Sequence, residues 1–182
     1  MRRMVGIRGW VLVWAALVSL PCCGAAWVGQ EAGAARAEKA PSPVDKYHPA
    51  GYVNDFAELI DPKVQLQIDA VCTDLEKQRK TQMAIVTVES LEGMSIKEFS
   101  TELFQKWGVG PKETNRGVLV LLSKGDRQWR LTVGVGLESV LTDEEAAKLG
   151  AEMRPMLRTG EYGEALLYVA KKIRDEVVEK VK

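Results

Sequence analysis

A chain of 182 residues accommodates one domain of ordinary size and an appendage. Its 25 basic and 25 acidic side chains balance, which removes the electrostatic case for a nucleic-acid partner. Apolar residues make up 46% of the chain, enough for a packed core, so wholesale disorder is excluded as well.

The chain opens with Arg2, Arg3 and Arg8, then an apolar run from Gly9 to Leu20, then small residues. Gly24-Ala25-Ala26 and Ala35-Arg36-Ala37 both resemble signal-peptidase sites. Residues 1–26 therefore read as a signal peptide. If the segment stays uncleaved they read as an N-terminal membrane anchor, since Trp10 to Val28 is just long enough to span a bilayer. The basic end stays cytoplasmic in either case, so the domain is exported to the periplasm or the outer face of the membrane. Attachment through a lipid on Cys22 or Cys23 is the weaker reading, because Ser19-Leu20-Pro21 is a poor approach to a lipidated cysteine.

Residues 27–50 are alanine-rich and carry Pro41, Pro43 and Pro49, the composition of a flexible tether. The only histidine, His48, lies in it and reads as a solvated side chain, which removes any multi-histidine zinc site. Cys72 is the one cysteine of the mature domain, so no internal disulfide forms there. It shares a helical stripe with Ile68, Val71 and Leu75 and reads as a buried, inert thiol.

The folded domain spans residues 51–180. Asp61 and Pro62 are suited to the N-cap and first turn of a helix whose stripe is Val64, Ile68, Val71, Cys72 and Leu75. "QMAIVTVE" reads as a strand buried on both faces. Ser95 and Glu98 form a capping box for a helix that buries Ile96, Phe99, Leu103 and Trp107. "GVLVLLS" and "QWRLTVGV", joined by "KGDR", predict an antiparallel hairpin. Thr142 and Glu145 form a second capping box for a helix ending near Gly160, and a last helix begins near Tyr162. Helices alternating with strands, then a hairpin and two helices, predict a three-layer α/β/α sandwich with a mixed central sheet.

No G-x-S-x-G, P-loop, H-E-x-x-H or mature C-x-x-C motif is present, which leaves oxygen chemistry. Ligands collect beyond the carboxyl ends of strands in open α/β sheets. Asp55 precedes the first helix, Asn115 ends a loop, and Glu138 and Asp143 follow a strand; oxygens converging there would suit Ca²⁺ or another divalent cation. The plainer alternatives are a helix-favouring acid for Asp143 and a solvated face for Glu138. Gly134 and Gly136 flank Val135 at a strand end, where absent side chains permit a bulge or a close backbone approach. Trp107 and Trp129 read as packing residues.

The series "VNDFAELID", "QMAIVTVESLEGMSIKEFSTELFQKWGVG", "NRGVLVLLS", "DRQWRLTVGVGLESVLTD" and "RTGEYGEAL" resembles the TPM domain family from about Gly51 to Val178. The family's V-x-D motif falls on Val53-Asn54-Asp55, its W-G-I-G on Trp107 to Gly110, and its V-G-x-G-L-E-x-x-L-T-D on Val133 to Asp143. The resemblance implies the sandwich fold and a position outside the membrane. It also implies a divalent-cation site at acidic positions and, for some members, acid phosphatase activity. Phosphate would then meet the backbone at Gly134 and Gly136 and the charge of Arg116 or Arg127. Three functions stay open: a cation-binding module assisting assembly or maintenance of a membrane-associated protein or complex, a metal-assisted phosphomonoesterase, and a purely structural interaction domain.

Overall fold

The computed structural model describes residues 41–181. The expected leader, residues 1–26, and the tether as far as residue 40 lie outside them. The elements run β1 (Val53–Asp55), α1 (Pro62–Arg79), β2 (Gln82–Val88), α2 (Ile96–Trp107), β3 (Gly117–Ser123), β4 (Gln128–Val133), α3 (Asp143–Thr159) and α4 (Tyr162–Lys180). Short 3-10 turns occupy Pro43–Lys46 and Val135–Leu137.

The strands form one sheet in the order β1-β2-β3-β4. The first three are parallel, and β4 returns antiparallel to β3. All seven residues of β3 are buried, as befits a strand covered on both faces. Side-chain alternation divides the core in two. Met83, Ile85, Val118, Val120, Leu122 and Leu131 face α1, α3 and α4. Ala84, Val86, Val88, Leu119 and Leu121 face α2 and the Pro43–Lys46 turn. The expected sandwich and mixed sheet are therefore both present. Because β1, β2 and β3 step in one direction while α1 and α2 lie on opposite faces, one of the two crossovers must be left-handed. Such connections are almost always right-handed.

Helix starts follow the sequence closely. Asp61 accepts a hydrogen bond from the Lys63 amide (2.8 Å), and Ser95 and Glu98 complete their capping box. At α3 only half of the expected box forms. Thr142 accepts from the Glu145 amide (3.4 Å), but the Glu145 carboxylate pairs with Lys180 of α4 instead of turning back to the cap. Tertiary attraction to a cation outweighs the local bond there.

The tether expected over residues 27–50 ends sooner than composition suggests. Ser42 and Asp45 form a capping box around Pro43, and Val44 and Tyr47 are buried against α2. The Trp107 indole donates to the Tyr47 carbonyl (3.2 Å), and Lys106 pairs with Asp45 (2.8 Å). Two apolar anchors on a short capped turn suffice to dock it, despite the prolines. His48 is exposed, and Cys72 is buried with its thiol pushed up to about 12 by desolvation, an inert group as expected.

Candidate functional site

The sheet has two rims. At the carboxyl ends of β1–β3, Asp55 pairs in register with Thr87. Its carboxylate accepts from the Leu59 amide (3.0 Å), the Ile60 amide (2.8 Å) and the Thr87 hydroxyl. These bonds fold the loop into α1 back over the end of β1. Asp126, in the β3–β4 turn, accepts from Ser123 Oγ (2.6 Å) and the Leu91 amide (2.8 Å). The Ser123 hydroxyl, and after it the Leu91 amide, holds the Asp126 carboxyl below its usual range. Both acids tie loops together.

At the opposite rim Gly117 starts β3 beside Gln82, with Asn115 just before it. Antiparallel β4 brings its own carboxyl end back to this rim. The Gly134 amide donates to the Gly117 carbonyl (2.8 Å) and the Gly136 amide to the Asn115 carbonyl (3.2 Å). A methyl group at Gly134 would overlap the Asn115 carbonyl, and one at Gly136 the Thr114 carbonyl. The close backbone approach that the two glycines permit is thus made to the chain's own loop. Arg116 lies against Gly136. Glu138 and Asp143 line one cleft of about 560 Å³ with Arg130, Thr132 and Thr142.

The four expected cation ligands consequently do not meet at one point. Asp55 lies level with Thr87 and Leu122, whereas Asn115 precedes the Gly117–Gln82 pair, about 16 Å away along β3 at roughly 3.3 Å per residue. Proximity to a strand end in sequence misplaces them because the hairpin sends the end of β4 to the amino ends of its neighbours. Arg116 and Arg127 stand at opposite ends of β3, one just before it and the other in the hairpin turn after it, so they do not share a phosphate. Among the described residues no group of three or more His, Cys, Asp or Glu side chains is placed to hold a metal. What remains at the second rim is two carboxylates with threonine hydroxyls beside them and Arg130 in the same cleft. Such hard oxygens fit a divalent cation that keeps much of its water, and they do not fit a closed protein cage.

One network near the same rim has no signature in sequence. The Tyr52 hydroxyl donates to Glu76 of α1, Gln82 Nε2 donates to the same carboxylate (3.0 Å), and Gln82 Oε1 accepts from the Gly110 amide (3.0 Å). The hydrogen bond from Tyr52, then that from Gln82, lowers the Glu76 pKa. Hydrogen bonding to Glu76 raises that of Tyr52. A depressed carboxyl contributes stability above its unfolded pKa and loses it as pH falls through the folded value. A raised phenol contributes below its ordinary value and loses it as pH rises through the folded one. Stability should therefore decline at both acidic and strongly alkaline pH. Urea midpoints against pH should show both limbs flattened in Glu76→Gln.

The fold is thus an α/β/α sandwich on a four-stranded mixed sheet, with acidic side chains at both rims. Residues 53–176 match the family model of the TPM domain, and the chain belongs to that family. Two chloroplastic UPF0603 proteins of rice, from Oryza sativa subspecies indica and japonica, are each 25% identical over 124 residues, covering 67% of this chain. The match spans 42% of the length of those relatives. Among solved structures, the N-terminal domain of a P. gingivalis protein has a TM-score of 0.65 at 25% identity, covering 69% of this chain and 81% of its own. The N-terminal domain of a Corynebacterium glutamicum protein has a TM-score of 0.58 at 16% identity, covering 74% and 85%. A protein of the psychrophilic bacterium Bizionia argentinensis has a TM-score of 0.60 at 13% identity, covering 68% and 84%; the last two likenesses concern the fold alone.

Proposed function

We propose that the chain is an extracytoplasmic TPM module that holds a divalent cation, Ca²⁺ foremost, and assists assembly or maintenance of a membrane-associated protein or complex. That Glu138 and Asp143 line one cleft carries this reading. The leader-like residues 1–26 and the chloroplastic location of the rice relatives support a place outside the cytosol. No helix among the described residues is long and apolar enough to cross a membrane.

Calorimetric titration of the full-length chain with Ca²⁺ tests the cation. Binding should weaken by about tenfold or more in Glu138→Gln/Asp143→Asn, since site affinity follows ligand charge. Absence of heat from the wild type, or undiminished binding in the double variant, would sink the reading. A metal-assisted phosphomonoesterase is the second reading, favoured by Arg116 standing at the same rim as the two acids. Turnover of a phosphate monoester that needs Ca²⁺ and falls in Arg116→Ala would establish it, whereas turnover indifferent to both would remove it.

A further inference from the structure

We infer that the cleft between the β3–β4 turn and the second half of α3 binds a phosphate-bearing ligand, at a place separate from the Glu138–Asp143 cleft. This cavity, about 580 Å³, is walled by Lys124 and Arg127 from the turn and by Arg154 and Arg158 from α3. Trp129 and Tyr162 line it as well, and no acidic side chain does. Arg127, Arg154 and Arg158 make no ion pair within 4 Å among the described residues. Lys124 approaches only the exposed Glu89, at 3.6 Å.

The simplest alternative is that these cations are solvated and suit the carboxyl end of a helix. That accounts for Arg158 and in part for Arg154. It does not account for Lys124 and Arg127, which come from a turn on a different element and add like charge to the same cavity. Arg127 also holds a left-handed backbone, φ 52°, a position that glycine or asparagine fills with less strain.

The aromatic wall is fixed in place. Gly150 of α3 lies directly under the Trp129 indole, and a methyl there would overlap the ring. Guanidinium groups match phosphate oxygens in a planar fork, and the half-buried indole offers a flat apolar surface beside them. The ligand is therefore a phosphate joined to an apolar or ring-bearing portion. A soluble organic phosphate and the headgroup of an anionic phospholipid share that chemistry.

The test uses the full-length chain, in detergent for calorimetry and free of detergent once added to vesicles, with Ca²⁺ removed so that the cation reading plays no part. Phenyl phosphate is titrated calorimetrically, and phosphatidylglycerol vesicles are compared with phosphatidylcholine vesicles by flotation. At least one phosphate probe should bind, weaken by about tenfold or more in Arg154→Glu/Arg158→Glu, and weaken further with salt. Which probe binds identifies the source of the phosphate. Lys171→Glu/Lys172→Glu, the same charge change on exposed α4, should leave binding intact. Failure of both probes would overturn the proposal, and so would equal loss in the cleft and α4 variants.

Discussion

Replacing Asp55 by alanine is expected to lower the unfolding free energy by about 3 kcal/mol, a structural effect at a position that sequence marks as a cation ligand. Its carboxylate accepts from two backbone amides, Leu59 and Ile60, and from the hydroxyl of Thr87. Thr87 is fully buried, and its oxygen in turn accepts from the Ala57 amide (3.3 Å). Removing the carboxylate leaves the amides of the loop into α1 without partners, Ile60 among them with its residue buried. Hydrogen bonds to a charged acceptor are among the stronger ones, and orphaned buried donors bear the full desolvation penalty. Asn at position 55 keeps one acceptor oxygen and should lose about half as much. Asp143→Asn, at an exposed first-turn position, should change stability by less than about 0.5 kcal/mol. Urea unfolding followed by circular dichroism separates the two. A fully stable Asp55→Ala protein would mean the loop is held by something else, and the carboxylate would again be available to an ion.

Gly134→Ala is expected to cost about 2–3 kcal/mol, because a methyl group meets a backbone oxygen that has little room to move. The Asn115 carbonyl beside Gly134 is itself the acceptor for the Gly136 amide, and Asn115 already holds a left-handed backbone, φ 49°. Relieving the overlap separates the end of β4 from the loop before β3 and weakens the 2.8 Å bond from Gly134 to Gly117. Since the same turn leads on to Glu138, ion binding should fall with stability. Gly51→Ala, where an added methyl meets nothing within 4 Å, is the matched control and should be neutral. Equal stability of the two variants would show that the loop yields easily and that Gly134 is not constrained by contact.

Much of the architecture could be read from residue pattern. The unbroken apolar run of β3 and the caps at Asp61 and Ser95 placed their elements within a residue or two. β1 escaped notice because three residues are too few to show a period, and it is defined only by pairing with β2. The docked Val44 and Tyr47 escaped because their neighbours have linker composition. The candidate site was harder for a geometric reason. Ligand positions inferred from strand ends depend on strand direction, and an antiparallel β4 moves Asp143 to the rim opposite Asp55. Of the basic cavity only Arg127 was singled out, since Arg127 and Arg154 are brought together by the docking of α3 across the hairpin, which no local spacing encodes.

The packing of α4 along α1 has a consequence for how the chain comes to be folded. Val64, Ile68, Val71 and Leu75 of the first helix share a core with Leu166, Val169, Ile173 and Val177 of the last, and Arg79 donates to the Val178 carbonyl (2.6 Å). A chain synthesised from its amino end exposes the apolar stripe of α1 until α4 has emerged. This half of the core closes only once α4 is available, so it stays loosely ordered until then. The Arg79–Val178 bond joins positions 99 residues apart, so docking of α4 on α1 is a non-local step that comes late in folding.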